Sequence, residues 1–134
     1  MVLNELTSTI IGAAIKVHRT LGPGLLESAY RACLAYELQK LGHHVEIEKK
    51  IPLIYEEVKL ECGFRADLLV DEIVIVECKA KEKLHPIDKA QAASHLRILG
   101  IQVGLLINFH EIVLKTGIHR IVNGYKEAET TIDN

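Results

Sequence analysis

Hydrophobic and polar positions along this chain change period twice, and those changes mark its elements. From about Asn4 to Leu21 the apolar residues recur at helical spacing, with Ile11, Ala14, Ile15, His18 and Leu21 on one stripe. Gly22-Pro23-Gly24 breaks that helix sharply. A second helix is predicted from about Leu26 to Leu41, with Tyr30, Leu34, Leu38 and Leu41 on its inner stripe and Gly42 as its C-terminal stop. From Val45 the period becomes two. Val45, Ile47, Ile51, Leu53 and Tyr55 alternate with polar residues, and Pro52 suggests an edge or a bulge. The alternation resumes at Val58 and runs through Leu60, Cys62, Phe64, Ala66 and Leu68 to Val70. Asp71-Glu72 then turns the chain into Ile73–Ala80, whose nearly continuous apolar character predicts a central strand.

After a charged loop, Lys81–His85, Pro86 opens a third helix that carries Asp88 in its first turn and ends near Leu99-Gly100. Val103–Asn108 reads as a further strand, and Ile112–Leu114 with Ile118–Val122 as a closing pair. The tail from Lys126 is polar. The order α-α-β-β-β-α-β, with the closing pair after it, predicts one α/β or α+β layered domain over residues 1–134.

Composition narrows the function classes. At 134 residues there is room for one real core and not for two. No apolar stretch approaches the roughly 18 residues of a membrane span, and Met1–Glu5 has neither half of a signal peptide, so a cytoplasmic protein without a membrane is expected. Three cysteines, odd in number and far apart, fit neither a disulfide framework nor a zinc pattern, and read as buried thiols. A net charge of −2 leaves no global basic field, so a polyanion would need a local patch and a metal. The 4% of aromatic residues argues against a stacking platform for single strands.

The chemistry lies where the pattern is violated. Asp67, Glu77 and Lys79 occupy two apolar strands at positions where a buried sheet calls for Val or Leu. A buried carboxylate costs several kcal/mol unless a positive group compensates it. Two carboxylates and an amine together suggest a divalent cation with a lysine beside it. Glu77 and Lys79 share a strand face. A two-residue turn at Asp71-Glu72 would put Asp67 on the opposite face; a three-residue connection (Val70–Glu72) or a bulge puts all three together. The metal-site reading therefore requires an irregular register. Glu27 and His18 fall inside the apolar stripes of their helices, and Gln91 and His95 lie one turn apart on the third. Each has an ordinary explanation: Glu27 as a helix-dipole partner, His18 as a satisfied core residue, Gln91 as a packing residue.

Gly24-Leu25-Leu26-Glu27-Ser28-Ala29-Tyr30 carries the spacing that names the GxxExxY family of small bacterial proteins, and the chain resembles that family from roughly Leu6 to Val122. The family is placed in the PD-(D/E)XK nuclease superfamily. Phe64–Val70 and Val76-Glu77-Cys78-Lys79-Ala80 resemble its nuclease motifs, and Gln91 with His95 stands where the superfamily has Gln-x-x-x-Tyr. His95 departs from the usual Tyr, and Phe109-His110-Glu111 from a Phe-Gly turn.

The resemblance implies a restriction-endonuclease-like domain with a central mixed sheet flanked by helices, hydrolysing phosphodiester bonds in nucleic acid, DNA above all. It implies Mg²⁺ or Mn²⁺ held by Asp67, Glu77 and the Cys78 carbonyl, with Lys79 orienting water or stabilising the transition state. Glu27 would complete the outer coordination of the ion or a second metal position, and His18, Gln91 and Arg65 would contact phosphate or the groups that support the ligands. Arg65, Lys81, Lys83 and Arg97 are expected to meet the phosphate backbone, and a homodimer would suit double-strand cutting. The competing expectation is the same fold without turnover, as a nucleic-acid-binding, regulatory or oligomerising module.

Overall fold

The computed structural model describes residues 2–61 and 63–123; Cys62 and the polar tail expected from Lys126 lie outside them. Helices α1 (Leu3–Leu21) and α2 (Glu27–Lys40) precede β1 (Val45–Lys50) and a small hairpin of β2 (Leu53–Tyr55) and β3 (Val58–Leu60). Then come β4 (Arg65–Val70), β5 (Val74–Lys79), α3 (Pro86–Leu99), β6 (Val103–Asn108), a 3-10 turn (Leu114–Gly117) and β7 (Ile118–Val122). A five-stranded mixed sheet runs in the order β1-β4-β5-β6-β7. β5 and β6 are parallel, joined through α3, and the other neighbours are antiparallel. This is the mixed α/β sandwich of a restriction-endonuclease-like fold. Among the described residues no helix is long and apolar enough to cross a membrane.

The sheet is covered on both faces, which explains the continuous apolar character of β5 and β6. α1 and α2 bury Leu6, Ile10, Val17, Tyr30, Leu34 and Leu38 against Leu68, Val70, Val74, Val76 and Cys78. On the other face, α3 lays Ala92 and Leu96 over Leu69, Ile75, Leu106 and Ile121. Asp88 fixes the start of α3 by accepting the His85 N–H at 2.8 Å, and Gly100 ends it in the left-handed conformation (φ 70°).

Three expectations are corrected. The alternating run from Val58 to Val70 is not one strand: it divides into β3 and β4 around Gly63 (φ 77°), and Val58, Leu60 and Phe64 are exposed. Period-two spacing survives such a break, because it reports local extension and not burial. Ile112–Leu114 forms no strand; β7 pairs instead with β6, from Val103↔Val122 to Ile107↔Ile118. Glu27 does not point into the core. It is the first residue of α2 and is exposed, at a helix end open to water.

Candidate metal-dependent active site

The irregular register is present. Val70 pairs with Val74, leaving Asp71, Glu72 and Ile73 as a three-residue connection one position later than Val70–Glu72, with Asp71 and Glu72 at φ 53° and 58°. That parity puts Asp67 opposite Glu77. A second irregularity lies at Asp67 itself. Strict alternation would place Ala66 with Leu68, yet Ala66 packs on the α3 side and Leu68 on the α1/α2 side. The pleat therefore switches faces through Asp67. On β1 the ladder skips the Glu48–Asp67 pair, and Glu48 has φ 54°.

At this point β4 and β5 part. Their ladder stops at Leu68↔Val76, and the next backbone donors turn to side chains. Asp67 Oδ2 accepts the Cys78 N–H at 2.7 Å, and the Asp67 N–H points at Glu77 Oε1 at 3.4 Å. The two carboxylates bridge the mouth of the fork. Glu77 is buried, and its Oε2 lies 2.6 Å from His95 Nδ1 on α3. A carboxylate can only accept, so Nδ1 carries the proton. Farther along β5, Lys79 Nζ donates to Gln91 Oε1 at 3.3 Å, one helical turn before His95.

Asp67 bears the electrostatic strain. Burial, and the neighbouring charges of Glu77 and Glu27, push its carboxyl from 3.8 up to about 6, against the opposing effects of the Cys78 N–H and Arg31. Glu27 thus stands close enough to be felt, although exposed. It is placed by Tyr30, which is wholly buried, stacks on Phe109 at 4.5 Å, donates from its hydroxyl to the Gly22 carbonyl (2.6 Å) and accepts the Leu25 N–H (3.0 Å). The Gly22-Pro23-Gly24 bend can close because Gly22 and Gly24 take φ of 73° and 103°. Asn108, also wholly buried, fixes the exit of β5 by bonding both the N–H and the carbonyl of Lys81.

Other expected residues have partners of their own. His18 Nε2 meets the Glu111 carbonyl at 2.7 Å and its ring lies against Phe109, contacts that satisfy it as a buried histidine. Arg65 is exposed, with Nε 3.9 Å from Glu48. Lys81 pairs with Asp88 at 3.0 Å. Cys78 turns its thiol into the core, where burial pushes its pKa well above the ordinary 9.0 and keeps it protonated. Two residues at the site were given no role there by sequence reasoning: His95, placed with Gln91 at the Gln-x-x-x-Tyr position, and Arg31, whose Nη1 lies 3.5 Å from Asp67 Oδ1. The signal for Arg31 was its place four residues after Glu27 on one helical face.

A second group, His44, Glu46 and Glu72, brings its ligand atoms within 4.8 Å of one another. It sits at the β4–β5 connection, with Glu72 inside that turn and Glu46 on β1 opposite Leu69, and Glu46 is already paired with Lys49 at 3.1 Å.

A family model described as the PD-(D/E)XK nuclease superfamily matches residues 4–121. The chain belongs to the PD-(D/E)XK nuclease superfamily. Searches of curated proteins and of solved structures returned no significant match. Nucleases of this superfamily generally use divalent metals. The donors here suit such an ion: two carboxylates of adjoining strands, hard oxygen ligands, with too little positive charge to hold Asp67 at its ordinary pKa.

Proposed function

We propose that this superfamily member, of the GxxExxY type, is a metal-dependent nuclease that hydrolyses phosphodiester bonds, with DNA as substrate and Mg²⁺ or Mn²⁺ as the ion. The observation that carries the reading is the meeting of Asp67 and Glu77 across the β4–β5 fork, with Lys79 next on the same face. Asp67 and Glu77 would hold the cation; Asp67 Oδ2 and Glu77 Oε2 are already engaged by the Cys78 N–H and by His95, while Oδ1 and Oε1 have only the longer contacts to Arg31 and the Asp67 N–H. A divalent cation there supplies Lewis-acid chemistry, acidifying water and neutralising charge on a phosphoryl oxygen.

The chain's own side chains do the remainder. Lys79, steadied by Gln91, brings a point charge to the edge of the site, suited to orienting the attacking water or to stabilising the pentacovalent phosphorane. Glu27 adds acidic charge at the solvent side, at an outer or second ion position. Arg65, Lys81, Lys83 and Arg97 are the cations suited to meet the sugar-phosphate backbone.

The test is cleavage of single- and double-stranded DNA and RNA by the purified protein with Mg²⁺, Mn²⁺ or EDTA. Cleavage is expected with metal only, and Lys79→Ala should lower it at least 100-fold while leaving the melting temperature within a few degrees. Wild-type protein inert on every substrate, or Lys79→Ala retaining metal-dependent cleavage, would refute this reading.

A further inference from the structure

Arg31 has no part in the scheme above, yet it reaches the most charged point of the site. It stands on α2 one turn beyond Glu27, with Nη1 3.5 Å from Asp67 Oδ1 and Nη2 3.3 Å from Glu48 Oε2. The two Asp67 oxygens are divided: Oδ2 takes the Cys78 N–H, and Oδ1 faces Arg31. A cation shared between Asp67 and Glu77 needs Oδ1, so cation and guanidinium compete for one oxygen. The Arg31 side chain keeps 21% of its surface in water, so it can leave without unpacking the helix. Its second anchor, Glu48, is half exposed and is also approached by Arg65, which makes that contact weak and shared.

Resting on the nuclease reading, we propose that Arg31 is a substrate-contacting residue. It neutralises Asp67 while the cation is absent, yields Oδ1 when the cation binds, and then grips a non-bridging oxygen pair of the substrate phosphodiester. The chemistry of the group favours this over a fixed ion pair. A guanidinium presents parallel N–H donors that match two phosphate oxygens, and it stays charged throughout. The charges agree. Asp67, Glu77, Glu27 and Glu48 carry four negative charges, and a divalent cation with Arg31 and Lys79 offsets all four, so the mouth of the fork would no longer repel an arriving phosphate, in a chain whose net charge is −2.

The inference makes Arg31 oppose metal binding and assist substrate binding, two effects of opposite sign that a structural ion pair would not produce. Arg31→Gln and Arg31→Lys are to be compared with wild type at pH 8. Mn²⁺ affinity is read by calorimetry without nucleic acid. Affinity for a DNA duplex is read in Ca²⁺, and cleavage in Mg²⁺. Arg31→Gln is expected to bind Mn²⁺ about tenfold more tightly, since a like charge a few ångströms from the ion is gone, while duplex affinity and cleavage each fall about tenfold or more. Arg31→Lys should restore the wild-type Mn²⁺ affinity and only part of the cleavage.

Mn²⁺ affinity unchanged or weakened in Arg31→Gln, with the thermal melt intact, overturns the proposal whatever cleavage does. Tighter Mn²⁺ with undiminished duplex binding and cleavage overturns the phosphate contact. Wild-type protein that binds Mn²⁺ but neither binds nor cuts nucleic acid defeats the nuclease reading, and the phosphate contact with it; the Mn²⁺ comparison still shows whether Arg31 and the ion compete.

Discussion

The raised pKa of Asp67 makes a stability prediction that needs no substrate. Its carboxyl titrates near pH 6 in the folded chain and near 3.8 when unfolded, first because it is buried and then because Glu77 and Glu27 repel its charge. Between those values the folded state holds more protons than the unfolded one, so this group's contribution to stability is complete below pH 3.8 and is lost as pH rises through about 6. At about 1.4 kcal/mol per tenfold difference in proton affinity, the rise from 3.8 to about 6 corresponds to about 3 kcal/mol.

Asp67→Asn removes the titration and keeps an oxygen to accept the Cys78 N–H. In EDTA, the variant should match wild type near pH 4 and exceed it by up to about 3 kcal/mol at pH 7.5, measured by urea denaturation across that range. Taking the difference between the two proteins cancels Asp71 and Asp88. Burial notwithstanding, their bonds to His43 and the His44 N–H, and to the His85 N–H and Lys81, hold them below the ordinary range, so they act with opposite sign. Saturating Mn²⁺ should then reverse the order at pH 7.5: an ion at 100 times its Kd adds about 2.7 kcal/mol to wild type and little to the variant. A gap that does not vary with pH would show that Asp67 is solvated as an ordinary surface carboxylate, and would remove the electrostatic argument for a cation.

Two further outcomes follow from the supporting residues. His95→Ala should weaken Mn²⁺ binding about 10- to 100-fold by freeing Glu77 Oε2, and His95→Gln, which can still donate to it, should recover most of that loss by calorimetry. Tyr30→Phe strips partners from the Gly22 carbonyl and the Leu25 N–H, and should cost about 1–2 kcal/mol in denaturation; cleavage should fall with it if Glu27 depends on that bend, and Gly22→Ala, strained at φ 73°, should act in the same direction.

Much of the architecture could be read directly, and the reason differs by element. α3 was bounded correctly at Pro86 and Leu99 because both ends carry chemistry with one structural use, a proline in the first turn and a glycine after the last. β5 and β6 were legible because burial on both faces leaves no polar period. The β2–β3 region was not, since its alternation is that of an exposed ribbon whose apolar residues meet no core among the described residues. Asp67, Glu77 and Lys79 stood out because each violates an apolar strand. His18 violates a stripe in the same way and is nonetheless satisfied by a carbonyl of a segment 93 residues away, which no local pattern can reveal. Arg31 and His95 escaped for the opposite reason: an arginine beside a helix stripe and a histidine on an amphipathic helix look ordinary until the sheet supplies their partners.

The fork between β4 and β5 links this legibility to function. When a ladder stops inside a covered sheet, the next N–H groups lose their strand partners in a place water reaches poorly, and each such donor costs about 1–3 kcal/mol if left alone. Here the Cys78 and Asp67 N–H groups are taken by the carboxylates of Asp67 and Glu77. The residues that could hold a cation are therefore also the ones that make the opening tolerable. Val or Leu at either position would leave donors unmet, and the strands would have to zip further, closing the mouth. The same acids that open the sheet accumulate charge that the Cys78 N–H and Arg31 only partly offset, and it is the remaining uncompensated charge on Asp67 that a divalent ion would relieve.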